Sequence, residues 1–567
     1  MLKSRLLQTL TDQSRKERAW KEWDIVAELE QREGDPAPRI QRYYCGMVID
    51  WGNGEPPVEY GYEASAYADG PEYATGTHIV KIRIARPNFG YGVHVVFGYY
   101  NLSDIAEPIC PQLKRVLKFN ATNLRTLSYT FNRCFRLESV CPITHGEQIT
   151  TATGAFMWTT HLRGAIIINS LRSTSSVGNF AYWSGAEEIF IGGGGMPVCT
   201  NVGSFARNAQ NLRRAVLGKV PLAQGMTYMF GNCQSLEEYD LTGYGADTTG
   251  ISYAFYYCEK LRGSLELPDM PNCTTAAYAF RNSGFDKITI GRTPLCTSYN
   301  NAFFCCENLR DVMLKDTTAT TDAAYMFANC QSLEKVGLGG MGAVLTTMQE
   351  AFGNTGSLRQ AIELPDMPNL TTMAAAFRYS GITSFKCGDL TVCTTINQAF
   401  GFCQSLKTVE IGDCPVLDTT YQCFINDASL ERVKINAYGH TLNYCTATFQ
   451  YCPSLKKVDG KFKLRPDGPS NASYYNTIFQ GCQMLQHVPD IFPDNGWTTL
   501  RVANTGLTSL FNNCLQMKGT VPDLWTAGQP MYFPGTGNKT SSFTLCIRLD
   551  NYADIPLAWR SNVNVGD

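Results

Sequence analysis

The chain is poor in the features on which most chemistry rests. Only 6 of its 567 residues are histidine. None of His78, His94, His145, His161, His440 and His487 stands in HExxH or at another metal-binding spacing, so surface or capping roles are expected of them. No CxxC pair occurs, which excludes zinc-ribbon and thioredoxin motifs. The run Gly192 to Gly195 lacks the Lys-Ser/Thr of a phosphate loop, and no GxSxG stands in a strand-to-helix setting. No catalytic residue, metal site or cofactor is expected. An excess of one charge is missing too. Lys+Arg number 48 and Asp+Glu 50, a formal charge of -2, which argues against a general nucleic-acid binder. No run of about 18 apolar residues offers a membrane-spanning helix. The opening MLKSRLLQTL is broken by Arg5 and Gln8, unlike a secretory signal. That pattern predicts folding in a reducing cytosol, where the 22 cysteines would be free thiols.

What the sequence does have is a repeat. Phenylalanines recur at Phe131, Phe156, Phe180, Phe205, Phe230, Phe255, Phe280, Phe303, Phe327, Phe352, Phe377, Phe400, Phe424 and Phe449, in steps of 23 to 25 residues. Phe479, Phe511 and Phe543 extend the series at longer steps, making 17 units. Leucine follows six residues after most of them, then a stretch with strand spacing such as Leu406-Val409-Ile411. The Ala-Phe or Met-Phe segment reads as a short helix or helical turn. One such unit cannot bury its apolar face alone, so neighbours must stack into a leucine-rich-repeat-type α/β solenoid with parallel strands. A longer period overlies the first: ELPDMPN recurs identically at Glu266–Asn272 and Glu363–Asn369.

Cysteine stands three residues after many of the phenylalanines, at Cys134, Cys233, Cys258, Cys306, Cys330, Cys403 and Cys452 among others. In sister units the same count lands on Thr159, Trp183, Asn208, Ser283, Thr355, Ser380 or Asp427. A metal ligand or disulfide partner does not tolerate such exchange, whereas a small buried residue does. Cys305-Cys306 is read as one residue inward and one outward.

MFGNCQSLEEYDL at residues 229–241 and AFGFCQSLKTVEI at 399–411 resemble the repeat of BspA-like leucine-rich-repeat proteins. The resemblance extends over about residues 102–556. Ile49-Asp50-Trp51-Gly52-Asn53-Gly54 and the segment Tyr73 to Ile82 are similar to a small β-module that opens many such proteins. Asn53-Gly54 suits a hairpin turn, and Asp50 suits turn chemistry rather than calcium binding. The resemblance implies adhesion and protein–protein contact. Repeats of this type also occur in phage virion and tail proteins, which need no secretion signal.

Four segments follow from these patterns. Residues 1–36 are expected to form an N-terminal helical segment, either packed on the first coil of the solenoid or docking the molecule to a larger particle with Leu6, Leu10, Trp20 and Trp23 toward the partner. Residues 37–100 form the small β-module, 101–518 the solenoid, and 519–567 a degenerate last coil with a C-terminal cap. Trp158, Tyr256, Tyr257, Tyr474 and Tyr475 fall between core positions and are candidates for surface binding. The expected partners are other virion proteins or a host surface protein or glycan, within a larger assembly. The expected location is the virion, with the bacterial cell surface as the alternative.

Overall fold

A computed structural model describes residues 20–85, 93–98, 109–468, 471, 473–498, 506–534 and 539–561. The chain is a parallel-strand solenoid of leucine-rich-repeat type, with about 15 turns. It divides into two compact units, Met1–Arg262 with Pro268–Cys273, and Gly263–Leu267 with Thr274–Asp567.

In the first unit the described part of the expected N-terminal helical segment, residues 20–36, holds a strand and no helix, while residues 1–19 lie outside the described residues. β1 (Ile25–Gln31) is followed by β2 (Arg39–Tyr43), β3 (Cys45–Asp50), β4 (Val58–Glu63), β5 (Ala66–Asp69), β6 (Gly76–Ala85), β7 (His94–Val96) and β8 (Leu113–Asn120). β1 lies antiparallel between β6 and β8, the first long strand of the solenoid. Its residues Ile25, Ala27 and Leu29 are fully or almost fully buried. The stacking edge that a first coil would leave open is therefore paired. Both partners of β1 are remote in sequence, so local periodicity could not announce the strand. Beyond β8 the same sheet continues in parallel through Ile143–Thr144, Ala165–Ile168, Glu188–Ile191, Arg214–Lys219 and Glu238–Thr242. Asp50 accepts the Gly52 amide at 2.9 Å and pairs with Lys81 at 2.8 Å, which is turn chemistry. His94 departs from the surface role expected of the histidines: it is buried, and burial pushes its imidazole down to about 3.

In the second unit parallel strands run Ser264–Leu267, Lys287–Arg292, Asp311–Asp316 and Lys335–Leu338, then Ala361–Glu363, Ser384–Lys386, Thr408–Asp413, Arg432–Leu442 and Lys457–Asp459. Ile362, Phe385, Val409 and Val433 stack in register on the inward face. The segments expected as short helices are tight turns. The one α-helix among the described residues is Leu557–Arg560, whose Trp559 stacks on Phe543 at 6.3 Å.

The phenylalanine column is the core of each unit. Ring centroids of Phe352 and Phe377 lie 5.0 Å apart and those of Phe424 and Phe449 5.0 Å apart, nearly parallel in both pairs. In the first unit the pattern slips. Backbone pairing places Ala181 and Ala206, not Phe180 and Phe205, level with Phe156 and Phe230. The two phenylalanines sit one residue early. They stack flat on each other at 2°, and meet Phe156 and Phe230 edge-on at 62° and 77°. The small residue three places on is consequently Ser184 and Ala209, both in the interior, rather than Trp183 and Asn208.

All 22 cysteines are free thiols. Those of the ladder do more than fill space. From Cys233 onward they donate the S–H to the carbonyl of the column residue one coil back, as in Cys258 to Phe230 at 3.1 Å, Cys306 to Phe280 at 2.9 Å, Cys403 to Phe377 at 2.9 Å and Cys452 to Phe424 at 2.9 Å. Thr159 and Thr355 supply a hydroxyl at the same place but turn it to the carbonyl of their own coil, Phe156 at 2.8 Å and Phe352 at 2.7 Å. The place selects a small donor, which explains the interchange of Cys, Ser and Thr. Cys305 is half-buried and Cys306 buried, one outward and one inward.

Candidate functional site

Each turn of the solenoid holds a left-handed residue two places after the column position. In the first unit these are Arg133, Trp158, Trp183, Asn208, Asn232 and Tyr257, with φ of 61°, 59°, 55°, 63°, 63° and 54°. Asparagine tolerates this conformation through its short polar side chain, while tryptophan and tyrosine there are costly and unusual. The repeat places their side chains one coil apart on the same face. Trp158 and Trp183 accordingly stack at 5.3 Å and 7°, with Tyr182 edge-on to Trp158 at 5.8 Å. A second stack runs beside it. Tyr228 and Tyr253 lie 4.3 Å apart, and the Arg207 guanidinium sits 3.8 Å from the Tyr228 ring centre. Arg207 comes from the coil before Tyr228 and Tyr253 from the coil after, so the phenol is held between them.

Beside the second stack, Asn208 and Asn232 line a depression of about 250 Å³. Asn232 donates to the Asn208 side-chain oxygen at 3.0 Å, and Gln234 donates to that of Asn232 at 3.1 Å. Tyr256 and Tyr257 form one wall, edge to face at 4.5 Å. Arg207 and Tyr228 complete the lining. Arg207 has no ion-pair partner among the described residues. The backbone amides of Asn208 and Asn232 are already committed to Gly231 and Tyr256. Recognition here falls to side chains: flat rings, amides and one cation.

In the second unit the same place carries Arg281 over Phe304 at 4.4 Å and Arg378 over Tyr379 at 5.0 Å. Tyr421, Tyr444 and Tyr474 stack at 4.6 and 4.0 Å. Burial and the two neighbouring phenols push the Tyr444 hydroxyl up to about 12. The outward strand face is different in kind. Glu363, Lys386, Glu410, Lys434 and Asp459 are register partners across five strands. Their signs alternate, and Lys434 meets Glu410 at 2.8 Å. This face carries a wider depression of about 490 Å³, but its charged lining pairs internally, Lys434 with Glu410 and Arg432 with Asp459 at 2.6 Å.

Residues 249–374 and 371–494 match the BspA type leucine rich repeat region, in six copies. The repeats of residues 249–494 are BspA-type leucine-rich repeats. Among solved structures, a leucine-rich repeat protein from Eubacterium ventriosum is similar at 13% identity, over 61% of this chain and 82% of that one, with a TM-score of 0.27. The pneumococcal vaccine antigen PcpA is similar at 14% identity, over 57% and 74%, with a TM-score of 0.26. No curated protein matches.

The residues singled out from the sequence fall in different places. Trp158, Tyr256 and Tyr257 are half-buried on the aromatic turn face of the first unit. Tyr474 ends the tyrosine stack of the second. Tyr475 is not a surface residue: it is fully buried, and its hydroxyl donates to the Leu442 carbonyl at 3.0 Å. Trp20 and Trp23 lie in the turn leading into β1, not on a helix. The Trp20 carbonyl accepts from Lys118 at 2.7 Å, and Lys81 sits 5.9 Å from the Trp23 ring centre. Leu6 and Leu10 lie outside the described residues. Trp183, Arg207 and Tyr228 were missed as site residues. The signal was there in Trp158 and Trp183, exactly one coil of 25 residues apart, but counting from Phe180 placed Trp183 in the core column.

Proposed function

We propose that the chain is a non-enzymatic attachment protein that holds its partner through the aromatic turn face, and that it does so as part of a phage particle. The observation that carries the attachment reading is the cluster around Arg207, where rings, amides and an unpaired guanidinium converge on one depression. Aromatic and arginine side chains of this kind dominate binding energy at protein surfaces. The BspA-type repeat supports a surface or adhesion role.

The free thiols favour assembly in a reducing cytosol over passage through an oxidising compartment, where 22 unpaired cysteines would invite mispairing. Virion proteins are assembled in that setting. Mass spectrometry of particles purified from the source culture tests the reading. A repeated copy number in the particle band supports it. Recovery from the cell envelope alone makes the chain a bacterial surface adhesin instead.

A further inference from the structure

We propose that the depression between Asn208 and Tyr257 binds a carboxylate-bearing sugar, an inference that rests on the attachment reading and names its ligand class. Arg207 is the one cation of the lining, and no acidic side chain lines it. Its guanidinium carbon lies 3.8 Å from the Tyr228 ring centre, and Tyr228 is stacked in turn on Tyr253 at 4.3 Å. A guanidinium held in this way keeps its edge N–H groups for a planar anion, and a carboxylate accepts two of them at once. A single fixed cation calls for a single anionic group.

The rest of the lining decides what carries that group. Asn208, Asn232 and Gln234 form a chain of amides, in which Asn232 donates to Asn208 and accepts from Gln234. The second Asn208 oxygen lone pair and its Nδ2 protons are available to hydroxyls in the depression. Tyr256 and Tyr257 add aromatic surface on one side, against which the C–H face of a pyranose ring can pack. An extended acidic peptide would ask for backbone hydrogen bonds as well. The turn backbone cannot give them, because Asn208 and Asn232 already donate to Gly231 and Tyr256 at 2.8 and 2.5 Å.

Calorimetric titration of the full chain tests this with four probes: α2,3-sialyllactose, tri-galacturonate, lactose and hexaglutamate. At least one acidic sugar is expected to bind ~10-fold or more tightly than lactose, the margin a charge-assisted bidentate contact provides. Arg207→Gln should bring acidic and neutral sugars to the same weak level. Asn208→Ala leaves the arginine stack untouched and should weaken both acidic and neutral sugars by roughly fivefold, a hydrogen bond's worth. It keeps the test valid if Arg207→Gln does not fold. Equal binding of acidic and neutral sugars, tighter binding of hexaglutamate, or no effect of Asn208→Ala overturns the proposal. If no sugar binds, the ligand class is wrong, while the attachment reading is decided separately by retention of the full chain on cell envelopes and particles.

Discussion

Asp427 accepts a hydrogen bond from the backbone amide of Cys403 at 2.7 Å, in the place where sister coils carry cysteine, serine or threonine. It is completely buried, and its second carboxyl oxygen has no partner. Burial holds its carboxyl far above the usual carboxylate range, so it is neutral in the fold. In the unfolded chain it titrates near the ordinary value of about 3.9. Folding therefore takes up a proton, and this residue's contribution to stability falls as pH rises above that value. Asp427→Ser should stabilise the chain at pH 7 by about 1–3 kcal/mol, the usual cost of an unsatisfied buried polar group. The gain should shrink toward pH 4. Denaturant unfolding at the two pH values checks this.

His94 works in the opposite sense. Its imidazole is buried against Tyr43 at 5.7 Å and is neutral, with its pKa pushed down to about 3 by burial. The unfolded residue takes a proton near pH 6.5. Its contribution to stability is present above that pH and is lost as pH falls toward the folded value. His94→Phe should flatten the decline of stability between pH 6.5 and about 4. Unfolding midpoints across that range read the difference.

The thiols give a sharper check on the packing. Of the 22 cysteines only Cys141 and Cys305 are not buried. Burial also raises the Cys305 thiol. In the native chain an aromatic disulfide reagent should modify Cys141 and Cys305 alone, slowly, and all 22 once denaturant is added. Rapid labelling of a ladder thiol such as Cys403 would mean that the coils do not stack as described.

The left-handed turns predict a pattern of tolerance. Leu545 adopts φ of 62° and is half exposed. Leu545→Asn should raise stability by up to about 1 kcal/mol, because asparagine enters this region at less cost. Asn354 at φ of 58° donates to Asn329 at 2.8 Å. Asn354→Val should lower stability by about 2 kcal/mol, from backbone strain and the lost hydrogen bond. Thermal unfolding of the two variants should move in opposite directions.

Much of this was legible in the sequence. The spacing of the phenylalanines gives the coil length, and the exchange of Cys with Ser and Thr gives a buried ladder of free thiols. What spacing could not give is the one-residue slip at Phe180 and Phe205. A ring can reach the same column from two adjacent backbone positions, and only backbone pairing distinguishes them. β1 was hidden for a different reason. Ile25, Val26 and Leu29 suit a helix face as well as a strand, and the partners that make it a strand, β6 and β8, lie far along the chain. Tyr475 was misplaced because adjacent tyrosines look alike in sequence, while the turn sends Tyr474 outward and Tyr475 into the core.

The central claim is that the turn face, not the strand face, does the binding. The most direct measurement is retention of labelled full-length chain on purified cell envelopes and on chain-free particles from the source culture. The Trp183→Ala/Tyr257→Ala variant is compared there with Glu410→Ala/Lys434→Ala. The account predicts retention of the unaltered chain on one of the two, a loss of ~10-fold or more for the turn-face variant, and little change for the strand-face variant. Loss of retention in the strand-face variant alone, or no retention of the unaltered chain on either surface, would contradict it.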